Sequence, residues 1–132
     1  MIAAMTLGGV QASMSIDAAT DTEVFVAFVE QVLVPTLRAG QVIVMDNLAV
    51  HKVSRVIELI ERAKCRVLFL PPYSPDLSPI EPMWSKVKHL LRTAAARTIN
   101  ALELAIGLAL SSVTASDCHG YFRHCGYSLG QN

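Results

Sequence analysis

The chain is poor in the features that mark several large protein classes. It has three cysteines, Cys65, Cys118 and Cys125, with no C-x-x-C spacing. An odd, widely spaced set argues against a disulfide framework and fits a reducing compartment. No uninterrupted apolar stretch reaches the roughly 18 residues of a membrane span. The first ten residues lack a basic region and contain Gly8-Gly9, so they do not read as a signal peptide. Aromatic residues make up 6% of the chain and the formal net charge is zero. Autonomous nucleic-acid binders are usually strongly basic, because phosphate neutralisation supplies much of their affinity. A neutral chain binds DNA weakly unless its basic residues gather on one face. There are no internal repeats, low-complexity tracts or linkers.

What remains is a 132-residue chain with 52% apolar residues. Such a chain is long enough for one domain with a real core. The expected locale is the cytoplasm, with no membrane partner. Met1 to Val10 and Gln11 to Ile16 read as two short strands around a Gly8-Gly9 turn. Thr20-Asp21-Thr22-Glu23 has the spacing of a capping box for a helix carrying Phe25, Phe28, Val29 and Val32 on one face. Pro35 should strain or end that helix. Val42 to Met45 reads as a strand buried on both faces. A helix is expected from about Lys52, with Val53, Val56, Ile57 and Ile60 inward. Arg66 to Leu70 reads as another buried strand.

Pro71 to Pro79 holds four of the six prolines, which predicts a stiff extended loop. The helix after it carries an apolar stripe of Ile80, Trp84, Val87 and Leu91, beside a polar stripe of Glu81, Ser85, Lys88 and Arg92. Thr98 to Val113 predicts a further helix with Leu102, Ile106, Ala109 and Val113 inward. Past Thr114 there is room for one short helix. Two strands followed by alternating strand and helix predict a mixed sheet flanked by helices. Sites in such folds lie beyond the carboxyl ends of parallel strands.

Asp46 stands at one such end. It either forms a turn with Asn47, caps the next helix, or serves a site. Glu81 follows Asp46 with 34 residues between them. Ser78-Pro79-Ile80-Glu81 also reads as a capping box, although Pro82 would then occupy the first position needing an intrahelical N–H. Two carboxylates brought together by a strand end and a helix start suit a divalent metal and phosphoryl transfer. His51 could order a phosphate or a metal-bound water, or be an ordinary helix-start histidine. Lys52 could meet a phosphate or be a solvated charge. Tyr73 could stack on a base or pack its loop. Lys88 and Arg92 could receive a DNA backbone, or form the solvated face of an amphipathic helix. Cys118-His119 and His124-Cys125 match no common zinc spacing, so these side chains are expected in the core and on the surface.

Val44-Met45-Asp46-Asn47-Leu48, His51-Lys52, and Leu70 through Glu81 with Trp84 and Lys88 together resemble one family. They look like the catalytic core of bacterial insertion-sequence transposases of the Tc/mariner-like superfamily, which carry a DDE acid triad. The likeness extends to Arg123-His124-Cys125-Gly126-Tyr127.

The resemblance implies a ribonuclease H-like α/β fold, a mixed sheet flanked by helices, with 1–132 as the carboxyl-terminal part of the catalytic core. It implies Asp46 as the second acid and Glu81 as the third, both ligands of Mg²⁺ or Mn²⁺. Asn47, His51, Lys52, Tyr73, Lys88 and Arg92 would lie along the DNA. The chemistry implied is two-metal DNA cleavage and strand transfer, with transposon ends and target DNA as partners and the nucleoid as the place of action. The family's first Asp would fall on a strand before Met1, so no residue here takes that role, and the chain alone is expected to be inactive. It would then work with the upstream part of a transposase or with another transposase chain. Two departures from the family pattern are Ser78, where Asn is usual, and Pro82. A second expectation is a non-catalytic truncated transposase that binds or inhibits full-length copies. A third is another ribonuclease H-like nuclease, such as a junction resolvase.

Overall fold

The computed structural model describes residues 1–15, 21–46 and 54–127. These fall into two compact units. One comprises Met1–Ala4 with Ala12–Pro75, and the other Met5–Gln11 with Asp76–Asn132.

The chain opens with a hairpin of β1 (Ile2–Thr6) and β2 (Gly9–Met14). A two-residue connection can only join antiparallel strands. Gly9 takes a φ of 134°, which a residue with a Cβ rarely adopts. The Thr6 hydroxyl accepts the Gly8 N–H at 3.1 Å. The expected alternation holds: Ala12 is buried, Met14 half-buried, and Ser13 and Ser15 exposed. Ile16 and Thr20 lie outside the described residues.

In the first unit, α1 (Thr22–Phe28) is capped by Asp21, whose carboxylate accepts the Val24 N–H at 2.9 Å. The cap is therefore one residue later than the Thr20 spacing suggested, and Asp21 is occupied in structure. The helix continues as a π-turn over Val29–Leu33 and a 3₁₀ turn over Val34–Thr36. Pro35 has no N–H to return to the preceding turn, so the regular ladder fails around it. Then β3 (Val42–Met45), α2 (Ser54–Arg62) and β4 (Arg66–Phe69) form a strand–helix–strand unit. The two strands are parallel, with Val42 opposite Arg66 and Met45 opposite Phe69.

Phe25, Phe28, Val29, Leu33, Met45, Val56, Leu59, Ile60 and Cys65 make the core of this unit. Leu59 is also buried, Ile57 is half-buried, and Val53 lies outside the described residues. Neither strand is buried on both faces. Ile43, Met45, Val67 and Phe69 turn inward, whereas Val42 and Leu68 remain 52% and 54% exposed. The described helices cover one face of this two-stranded sheet, and period-2 alternation then sends every other side chain to the other face.

The second unit contains α3 (Ile80–Ala94), α4 (Ile99–Ser111) and α5 (Ala115–His124). Both α4 and α5 pack on α3. Met83, Val87, Ala109, Leu110, Val113, Cys118 and Cys125 are buried. The inward stripe of α3 centres on Met83 and Val87, with Ile80, Trp84 and Leu91 at its margins. Thr98 caps α4 through the Ala101 N–H at 3.0 Å. Leu102, expected inward, is 43% exposed. Thr114 and Asp117 form a reciprocal capping box at the start of α5. Among the described residues no single helix is long and apolar enough to cross a membrane.

Candidate active site

Asp46 follows the last residue of β3, at the carboxyl end of the parallel pair. The pairing runs to this level, because the Leu70 N–H donates to the Met45 carbonyl at 2.8 Å. Asp46 and the loop starting at Pro71 therefore leave the sheet at the same edge. Asp46 is half-buried, as the sheet-edge position requires. This is the place where strand–helix units usually present ligands.

Glu81 belongs to the second unit and is the second residue of α3. The expected capping box is absent. The cap is Pro79, no side chain bonds the helix start, and the Glu81 N–H donates to the Ser78 carbonyl at 3.1 Å. Pro82 supplies the reason. With the cap at Pro79 it becomes the third helical residue, whose missing N–H has no intrahelical partner to lose. With the cap at Ser78 it would have broken the first bond. Freed from capping, the exposed Glu81 carboxylate has no hydrogen-bond or ion-pair partner among the described residues. It stands in the first turn of α3, where the helix dipole favours an anion.

Along the same face, Ser85, Lys88 and Arg92 are all exposed. Lys86 behaves differently. Its ammonium donates to Asp117 Oδ2 at 2.5 Å and to the Ser112 carbonyl at 2.8 Å, tying α3 to the α4–α5 junction. That pairing, with the N–H of Thr114, holds the Asp117 carboxyl below the usual carboxylate range. Lys86 is thus a structural cation, whereas Lys88, His89, Arg92 and Arg97 present their charge or ring to solvent.

The proline-rich loop is ordered by its own geometry. A 3₁₀ turn spans Pro75–Leu77, and the Tyr127 hydroxyl donates to the Leu77 carbonyl at 2.8 Å. Tyr127, which also meets Phe122 edge-on at 5.6 Å, thereby braces the turn leading into α3. Local sequence gives no sign of this bond across 50 positions. Tyr73 is fully exposed and has a φ of 57°. A bulky residue in the left-handed region is a backbone outlier, and such strain gathers at binding loops.

Cys118 and Cys125 point into the core while His119 and His124 are exposed, as expected from their poor spacing. Burial pushes both thiols up, which keeps them protonated and poor as metal ligands. Asn47, His51 and Lys52 lie outside the described residues. Among the described residues no cluster of three His, Cys, Asp or Glu side chains could hold a metal. Asp46 and Glu81 are nonetheless donors of the right kind for a hard cation, since carboxylate oxygens suit Mg²⁺ and Mn²⁺.

No curated protein matches the sequence. A family model described as DDE superfamily endonuclease matches residues 1–103. The matched segment contains the hairpin, both parallel strands, the proline-rich loop and all of α3, and by this match the chain belongs to the DDE superfamily endonucleases.

Proposed function

We propose that this chain supplies the second and third acids of a transposase catalytic core, Asp46 and Glu81, as ligands of Mg²⁺ or Mn²⁺. The whole chain, 1–132, is read as a carboxyl-terminal part of that core, ribonuclease H-like and of the Tc/mariner-like insertion-sequence kind. The observation that carries the assignment is Glu81. It heads an exposed polar stripe, is relieved of capping by Pro82, and has no partner among the described residues.

The bound cation supplies an activated nucleophile at neutral pH and stabilises charge on the phosphoryl oxygens. In the first reaction a water oxygen bonds to phosphorus and the P–O3′ bond breaks, freeing a 3′-hydroxyl. In the second, that hydroxyl oxygen bonds to a target phosphorus and displaces another 3′-oxygen. The protein's part is to hold ligands and track the DNA. Lys88 and Arg92 lie about 10 Å and 16 Å beyond Glu81 along α3, at ~1.5 Å per residue. Both can neutralise backbone phosphates leading away from the cut. The exposed Tyr73 ring can stack on an unpaired base near the strand end.

The test uses a transposase reconstituted with this chain, a transposon-end duplex and Mn²⁺. Asp46→Asn and Glu81→Gln should each lower cleavage by at least about 100-fold, the upper range for losing even an outer partner of a metal ligand. Circular dichroism should be unchanged. Near-normal cleavage by either folded variant would sink the assignment.

A further inference from the structure

Helix α3 starts without the device used at α1, α4 and α5. In those helices Asp21, Thr98 and Thr114 each bond the first turn through a side chain. At α3 no side chain does so, and the first-turn carboxylate of Glu81 stays exposed. Helix starts without partners fray, and fraying would spread the Glu81 carboxylate over many positions. The holding group comes instead from the far end of α5, within the same unit. The Tyr127 hydroxyl donates to the Leu77 carbonyl at 2.8 Å, just ahead of the Pro79 cap. Ser78 and Pro79, between that carbonyl and the helix, are buried. The backbone entering α3 is thus fixed by a tertiary hydrogen bond and by packing.

Tyr127 is itself placed by a Schellman motif at the end of α5. Its N–H donates to the Phe122 carbonyl at 3.0 Å, and the Gly126 N–H donates to the Arg123 carbonyl at 3.0 Å. Gly126 takes a φ of 91°, the left-handed turn that closes such a helix. The Phe122 and Tyr127 rings meet edge-on, which is the apolar contact that accompanies the motif. With its backbone and ring both held, the phenol reaches Leu77 at little further cost in side-chain entropy.

We propose that Tyr127 is a positioning residue for the third acid: its bond to the Leu77 carbonyl fixes the start of α3, and so the place from which the Glu81 carboxylate meets the cation. This rests on the reading of Glu81 as a ligand. A capping box would have engaged the carboxylate itself, as the one at α5 engages Asp117. Bracing a backbone carbonyl secures the helix start and leaves the carboxylate free. A ligand already held in place binds more tightly than one that must be ordered on binding. The brace comes from beyond residue 103, where the family match ends.

Two readouts test this, and the first needs no metal. In hydrogen exchange of the full 132-residue chain, Tyr127→Phe should speed exchange over the first turn of α3 by about fivefold, the effect of one lost hydrogen bond on local opening. Thr114→Ala, which loosens the opposite end of α5, should leave that turn at the wild-type rate. The second readout is Mn²⁺ binding by the reconstituted transposase, followed by the electron spin resonance of the free ion. Glu81→Gln should weaken binding most. Tyr127→Phe should raise the dissociation constant by about tenfold, the low end for groups that orient a metal ligand. Gly126→Ala, strained at its positive φ, should shift binding in the same direction with the phenol intact. Thr114→Ala should bind Mn²⁺ as the wild type does. Wild-type affinity in Tyr127→Phe beside weakened binding in Glu81→Gln would overturn the positioning role and leave the acid assignment standing. Unchanged binding in Glu81→Gln would remove both. Equal losses in Tyr127→Phe and Thr114→Ala would show a general loss of stability, and the positioning role would fall.

Discussion

Helices α3 and α4 are similar in length and pack on each other, yet they treat solvent in opposite ways. The outer face of α3 carries Glu81, Ser85, Lys88 and Arg92, and that of α4 carries Leu104 and Leu108. One surface suits phosphates and a cation, the other suits apolar side chains. Exposure has different meanings on the two. Charged side chains on α3 are solvated at no cost, whereas each exposed leucine on α4 forgoes burial worth roughly 1.5–3 kcal/mol.

The sharpest way to break the comparison is to truncate one side chain from each helix. Met83→Ala, in the core of α3, should destabilise the chain by about 2–5 kcal/mol in urea unfolding. Leu104→Ala should stay within about 0.5 kcal/mol, because the side chain is mostly exposed. Equal losses would mean that the outer face of α4 is buried within the single chain.

DNA binding separates the lysines next. Lys88→Ala and Arg92→Ala should each reduce the slope of log affinity against log salt by about one in the reconstituted transposase. Lys86→Ala should leave that slope unchanged, because its ammonium is held by Asp117 and Ser112. A drop for Lys86→Ala equal to that for Lys88→Ala would erase the distinction drawn along α3.

A smaller effect tests how α3 is tied to the α4–α5 junction. Thr114→Ala, which removes one half of the capping box, should cost about 1 kcal/mol. Lys86→Met should cost at most about 1 kcal/mol, because both charges are about a third exposed. The pH dependence has a defined sign. The Asp117 carboxyl is held below its ordinary value in the folded chain. Its contribution is complete above the unfolded carboxylate range and disappears as pH falls through the folded value. Acid unfolding of the Lys86→Met variant should therefore depend less steeply on pH than that of the wild type.

Tyr127→Phe is a change of similar size. It removes the bond to the Leu77 carbonyl and should cost about 1 kcal/mol. In the catalytic reading it should also slow cleavage, because the turn into α3 loses its brace. Unchanged cleavage with lowered stability would restrict Tyr127 to a structural role.

Sequence determined what depends on neighbours along the chain. Element order followed from turn residues and periodicity, and the polar stripe of α3 from its spacing. Asp46 was placed at a strand end by the apolar run before it. The proline-rich approach to Glu81 carried a family resemblance that the match over residues 1–103 supports at the level of the DDE superfamily. Helix starts were legible only to within one residue. Thr20 and Ser78 have the spacing of caps, but Asp21 and Pro79 occupy those positions. For α3 the deciding residue was Pro82, since a missing N–H costs nothing only before the first intrahelical bond. Sequence could not say which faces of an apolar segment would be covered. Val42, Leu68, Leu102 and Leu104 are as apolar as buried residues, and periodicity has no information about what stands opposite them. Tertiary structure alone decided that, along with the long-range bonds of Lys86 to Asp117 and Tyr127 to Leu77. Such contacts join residues far apart in the chain, so only packing can bring them together.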